Sequence, residues 1–247
     1  MRAAVMTGDR GLCVYAITRG REWDRVTFPE MHAGQSPALI SQNGLGLVAA
    51  EVDLALFGGV NAESAEDGLL ARLAREHDAV VRAVFDHEPV LPLRFGTIVT
   101  DTAAARRLLD SGHAQVSEWL DRVANHREWG VRVEHEDTDQ RSNVPLTGIS
   151  GADYLRMGRQ SQMSWQKRAS TVQSLHIELA RHATSAANRA RPRALLDATY
   201  LVPQANEDEF RAAAARLHEE VQRLGATVHA TGPWPPYSFT RIELAVH

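Results

Sequence analysis

The period of apolar positions changes several times along the chain, and each change marks an element. Leu12 to Ile17 is an unbroken β-rich apolar run, the pattern of a buried strand. Arg19 to Pro37 is polar and interrupted by Gly and Pro, which predicts a loop. Two short apolar runs follow, Ala38 to Ser41 and Leu45 to Val52, separated by Gln42, Asn43 and Gly44. Asn-Gly between such runs predicts a hairpin, because both central positions of its turn need positive φ. Leu69, Leu70, Leu73, His77, Val80, Val81 and Val84 recur at three- and four-residue steps. That stripe predicts an amphipathic helix ending before Pro89. Val90 to Val99 reads as a strand, with Pro92 near its start and Gly96 inside it. Asp101 or Thr102 can cap a short helix that Gly112 stops. A second helix then carries Val116, Trp119, Leu120 and Val123.

The second half has the same style. Trp129 to Val133 predicts a short strand, and Glu134 to Asn143 a solvated loop. Ser150 is a plausible cap for a long helix, its stripe running through Tyr154, Trp165, Ala169, Val172, Leu175, Leu179, Ala183 and Ala186. Unbroken from Ala152 to Ala190, this helix would be ~60 Å long. A break or overhang is therefore expected, with Gly158 and the polar stretch Arg159 to Ser164 as the weakest part. Leu195 to Val202 is a strand ended by Pro203. Asn206 and Glu209 form a capping-box pattern. Phe210, Ala214, Leu217, Val221 and Leu224 mark the buried face of the helix that follows, and Gly225 its stop. Thr227 to Ala230 and Phe239 to Val246 read as the last strands. The whole is α+β. A domain boundary near Asn125 to Glu128 gives residues 1–126 and 127–247. The element order of the second domain matches a ferredoxin-like sandwich, with helices on one face of an antiparallel sheet.

Composition narrows the function classes. The 247 residues are 44% hydrophobic and 23% charged, ordinary for a chain with a real core. A net charge of -4 gives no basic excess for a nucleic-acid partner. The single cysteine, Cys13, lies in an apolar run and cannot pair internally. The opening residues lack a basic-then-apolar leader, and no uncharged apolar run approaches membrane-spanning length. A cytoplasmic location without membrane insertion is expected.

Motifs for chemistry are sparse. There is no His-Glu-x-x-His and no cysteine pair, so no metal site is expected among the eleven histidines. His176 and His182 are six apart on a helix and point to different faces. Gly44, Gly46 and Ala49 fit a loose dinucleotide pattern, but strand-like residues follow where a helix must open. There is no phosphate-binding loop and no nucleophile elbow. Glu207, Asp208 and Glu209 crowd a helix N-terminus, where the dipole favours anions. No cofactor and no catalytic residue is expected. The competing class is a small-molecule enzyme with a pocket near Arg94 and His77.

Two segments remain. Leu91 to Gly96 places Arg94 among bulky apolar residues on the predicted strand. It either covers a sheet face and pairs with a carboxylate, or anchors a ligand. Gly232-Pro233-Trp234-Pro235-Pro236-Tyr237-Ser238-Phe239 has three prolines in four positions. It excludes a central strand and makes a stiff, extended connection. It is either a rigid crossover packing Trp234 on the core, or a preorganised aromatic contact surface.

Leu91 to Thr97, Glu128-Trp129-Gly130-Val131 and the Gly232 to Phe239 segment occur in this order. With the Val14-Tyr15 strand and Ser150 to Leu155, they resemble the gas vesicle protein F/L family across nearly the whole chain. The resemblance implies an N-terminal domain of unusual topology and a modified ferredoxin-like C-terminal domain. It also implies a non-enzymatic accessory or minor component of gas vesicles, the gas-filled protein organelles of buoyancy. Such a protein would bind the small hydrophobic shell protein and other accessory proteins, and limit shell-protein aggregation during nucleation. Trp234, Tyr237, Phe239 and Arg94 are the residues expected at that protein-interaction surface, beside an edge strand of the C-terminal domain.

Overall fold

A computed structural model describes residues 10–31, 35–54, 68–135, 151–189, 191, 194–223, 225–240 and 242. They form two compact units: Met1–Asn125 with Trp234–His247, and His126–Pro233. The stretch from Trp234 onward goes with the first unit, whereas the sequence reading had placed it in the second.

In the first unit, β1 (Arg10–Thr18), β2 (Ala38–Gln42) and β3 (Leu45–Asp53) form an antiparallel sheet in the order β2-β3-β1. Asn43 at φ 50° and Gly44 at φ 78° make the expected hairpin turn. Every residue of β3 from Leu45 to Ala50 is buried, as a strand covered on both faces must be. Helix α1 (Leu69–Phe85) covers one face. Its Val80, Val81 and Val84 join Cys13, Tyr15, Val48, Ala50 and Val52 in one core. Burial there pushes the Cys13 thiol up to about 11.

Helix α2 (Thr102–Val123) packs on the same sheet. Asp101 caps it, its carboxylate accepting from the Ala104 amide at 2.7 Å. Gly112 was expected to end a short helix, but α2 runs straight through it. Leu108, Leu109, Gly112, Val116, Trp119, Leu120 and Val123 are all buried on one face. Their packing outweighs the roughly 1 kcal/mol that a glycine costs inside a helix.

The expected strand from Val90 to Val99 is also corrected. Only β4 (Leu91–Pro92) and β5 (Ile98–Val99) pair with β1. Ala16 pairs with Pro92 and Cys13 with Ile98, so β1 advances three residues while its partner advances six. Arg94, Phe95 and Gly96 are extruded from the sheet edge, with Gly96 at φ 78°. Arg94 is therefore exposed on a loop tip rather than alternating on a strand face.

The second unit runs β6 (His126–His135), α3 (Gly151–Arg181), β7 (Ser185–Asn188), β8 (Ala194–Pro203), α4 (Glu207–Gln222) and β9 (Ala226–Trp234). Its strand order is β7-β8-β6-β9, and β8 pairs antiparallel with both β6 and β7. Trp129, Val131, Val133, Tyr200 and Val202 meet Val172, Leu175 and Leu179 of α3 and Phe210, Leu217 and Val221 of α4. Helix α3 has no break at Gly158 or Arg159 to Ser164, and it ends at Arg181 rather than near Ala190. At 31 residues it is about 46 Å long. The alanine-rich stretch after it is strand β7, because pairing with β8 overrides helix propensity.

Asn206 does not form the expected capping box. It closes a 3₁₀ turn, and its side-chain Nδ2 donates to the His182 carbonyl at 3.4 Å. Phe239 lies in a 3₁₀ turn, Tyr237–Phe239, rather than opening a strand. Ser150, Leu224, the side chains of Tyr154 and Trp165, residues 136–143, and most of the expected last strand lie outside the described residues.

Gly232 has φ 138°, and a Cβ there would meet the Glu128 carbonyl oxygen at 2.9 Å and the Trp129 ring at 3.1 Å. Gly44 has φ 78° but open space around it. Gly232→Ala is expected to lower stability by about 1–3 kcal/mol through overpacking and strain. Gly44→Ala should cost only about 1 kcal/mol of backbone strain. Urea unfolding of the two variants checks the ranking.

Candidate protein-interaction site

Two neighbouring residues of α1 receive the two unusual segments. Asp78 accepts the Tyr237 hydroxyl at 2.6 Å on Oδ1 and the Arg82 Nε–H at 2.7 Å on Oδ2. Asp78 and Arg82 are one helical turn apart, the spacing at which side chains meet on a helix. The Arg82 guanidinium lies over the Trp234 ring, 3.8 Å from its centroid, within cation–π range. Trp234, Arg82, Asp78 and Tyr237 thus form a continuous chain of contacts. Pro235 and Pro236 between the aromatics are buried, and Tyr237 packs on the core beneath α1. The Phe239 carbonyl accepts the Trp119 indole N–H at 3.4 Å.

These contacts tie the proline-rich segment to α1, with Trp234 against Arg82 and Tyr237 on the core. It is a rigid structural element, and its Trp234 and Tyr237 still keep part of their surface. Phe239 is held through its backbone and is half-buried. Asp78 and Arg82 were missed in the sequence, although their four-residue spacing and opposite charge were visible there.

His77 points inward from the same helix and is 5% exposed. Its Nε2–H donates to the Leu93 carbonyl at 3.0 Å, which fixes the tautomer and leaves Nδ1 as a buried acceptor. The ring lies 5.2 Å from Tyr15 and meets Phe95 edge-on at 5.7 Å. Burial pulls the His77 pKa below its ordinary value, partly opposed by the bond to Leu93. The ring therefore serves as a brace under the loop that bears Arg94. Its one N–H is already committed to that loop.

The remaining motif residues fasten β6 to its surroundings. Trp129 donates from Nε1 to Glu207 at 3.1 Å, and its ring lies 5.9 Å from Phe210. Glu207 also faces Arg127 at 3.5 Å, which gives the acidic turn at the start of α4 a structural use. A Cβ on Gly130 would meet the Thr231 hydroxyl at 2.9 Å, so a larger residue there would push that side chain aside. His176 bonds the Tyr200 hydroxyl at 2.7 Å. Among the described residues, no group of three or more potential ligands could hold a metal. No described helix is long and apolar enough to cross a membrane.

Residues 11–241 match the family model "Gas vesicle synthesis protein GvpL/GvpF". Gas vesicle protein L of a Streptomyces species is 34% identical over 98% of this chain and 97% of its own length. Gas vesicle protein F2 of Halobacterium salinarum is 25% identical over 68% of each chain. The crystal structure of GvpF from an Anabaena species superposes with a TM-score of 0.69 at 19% identity, covering 96% of this chain and 99% of that one. That of GvpF from Microcystis aeruginosa gives 0.62 at 15%, covering 94% and 99%.

Two predictions follow from this geometry. Tyr237→Phe removes a hydrogen bond to a half-exposed carboxylate and should cost about 1 kcal/mol in urea unfolding. The same change in an Asp78→Ala background should cost almost nothing further. The second concerns acid. The folded pKa of His77 lies below the unfolded value of about 6.5. The unfolded chain therefore binds more protons between the two values, and stability falls as pH drops below about 6.5. His77→Gln should flatten that slope in urea unfolding measured from pH 7.5 to 5.

Proposed function

The chain belongs to the GvpL/GvpF family of gas vesicle synthesis proteins, and on that premise we propose that it is a non-enzymatic accessory protein that holds the hydrophobic shell protein before assembly. A wall that excludes water is built from subunits with apolar surface, and such surface aggregates when left uncovered. A partner that covers it transiently needs rigid apolar contacts, because fixed side chains lose little entropy on binding. The observation that carries this reading is the clamp of Trp234 and Tyr237 onto α1 by Arg82 and Asp78. It fixes two partly exposed aromatics in place without a ligand.

The second unit has the order strand, helix, two strands, helix, strand, with β7-β8-β6-β9 across the sheet. We read it as a modified ferredoxin-like domain, and the first unit as the family's distinctive α+β domain. Among the described residues, β9 is an edge of its sheet, and it ends at Trp234. The enzyme alternative loses support from His77, whose ring is packed between Tyr15 and Phe95 and bonded to Leu93.

The test uses purified shell protein diluted from denaturant, with aggregation followed by light scattering. The intact chain should suppress scattering near equimolar ratio. Trp234→Ala combined with Tyr237→Ala should weaken suppression at least tenfold while circular dichroism still reports a folded chain. A folded double variant that suppresses scattering fully would reject this site.

A further inference from the structure

We propose that the extruded tip Arg94-Phe95-Gly96 is a preformed anchor for the unassembled shell protein, Phe95 entering an apolar site on it and Arg94 pairing with a carboxylate at that site's rim. The proposal rests on the shell-protein reading above and adds a second contact to it.

The tip is built rather than incidental. A strand pairing continuously with β1 from Leu91 to Val99 would need no extra residues, yet three are expelled here. The neck is closed on both sides by backbone bonds to β1. The Leu93 amide donates to the Tyr15 carbonyl at 2.9 Å, and the Val14 amide to the Thr97 carbonyl at 3.0 Å. The tip is closed on itself, because the Thr97 amide at 3.1 Å and hydroxyl at 2.7 Å both donate to the Arg94 carbonyl. Gly96 supplies the positive φ, and a Cβ there would meet nothing within 4 Å. The glycine is thus required by the turn and not by packing. On its other edge, β1 shifts register against β3 between Val14 and Ala16, so Tyr15 is bulged at the level of the neck. Bulges of this kind re-aim side chains, and here Tyr15 meets His77, which holds Leu93 and meets the Phe95 ring.

The result is an aromatic side chain that is braced and still 39% exposed. A single exposed apolar residue is ordinary on a protein surface. Phe95 differs in having a closed loop and a buried histidine that fix its position. Ile177, the other large exposed hydrophobic residue among those described, is 49% exposed on α3 and lies on a plain helix surface. Arginine beside a rigid aromatic is the composition of binding hot spots. Its planar fork selects a carboxylate rather than a neutral acceptor. An apolar surface bordered by an acid is thus the complement this tip fits.

The experiment measures the affinity of the full-length chain for purified, unassembled shell protein by biolayer interferometry. The chains compared are unaltered, Phe95→Ser, Phe95→Trp, Arg94→Glu and Ile177→Ser, each first checked by thermal melting. Phe95→Ser and Arg94→Glu are expected to weaken binding at least tenfold. Phe95→Trp and Ile177→Ser should remain within about threefold of the unaltered chain. Undiminished binding by a folded Phe95→Ser variant overturns the anchor while leaving the shell-protein reading intact. No binding by the unaltered chain overturns both.

Discussion

Asp78 carries two bonds at once, and the placement of the proline-rich segment depends on it. One oxygen holds Tyr237, 159 residues away in sequence, and the other holds Arg82, which in turn covers Trp234. A carboxylate is the group suited to this, because it accepts from two donors and strengthens both bonds with its charge. The prolines contribute by limiting the alternatives of the free chain, so less entropy is lost when the segment is fixed. Stiffness alone would not place the aromatics. The Tyr237 hydrogen bond to Asp78 and the Arg82 guanidinium over Trp234 do.

The same helix serves the other segment through the adjacent residue. His77 turns toward the sheet, where it bonds Leu93 and touches Tyr15 and Phe95. Two sequence motifs more than a hundred residues apart therefore lean on consecutive side chains of α1, one buried and one half-exposed. In the proposed holding role, this has a physical advantage. Contact residues fixed before the encounter keep more of their interaction energy as affinity.

Much of the fold was legible because local rules and tertiary packing agreed. The Asn43-Gly44 hairpin, the stripe of α1 and the buried run of β1 each combine one clear period with one clear turn or stop. Failures came where the two disagreed. Gly112 reads as a stop, but its lack of a side chain suits the packed face of α2. The stretch after Arg181 is rich in alanine and reads as helix, yet it pairs with β8. Val90 to Val99 reads as one strand despite Pro92 and Gly96, and Gly96 alone hints that β1 accepts only its ends. The candidate site was half legible. The aromatics and Arg94 stood out by composition. Asp78 looked like an ordinary helix residue and His77 stood out only for an enzyme pocket, because their importance lies in contacts across long sequence separations. Family resemblance, carried by the Gly232 to Phe239 and Leu91 to Thr97 motifs, was visible in the residues themselves.

In this account the most distinctive motifs of the chain are struts that present surface. The glycines at 130 and 232, Trp129 and Glu207 hold strands together, while Trp234 and Phe95 are held in position with part of their rings exposed. The central claim is that the α1 side of the first unit is the gripping face. Hydrogen–deuterium exchange on the full chain, with and without purified shell protein, tests it most directly. The account predicts added protection in Leu91–Thr97, in the second half of α1 and in Trp234–Thr240 together. Protection confined to α3, β7 and β8 of the second unit, with those three segments unchanged, would contradict it.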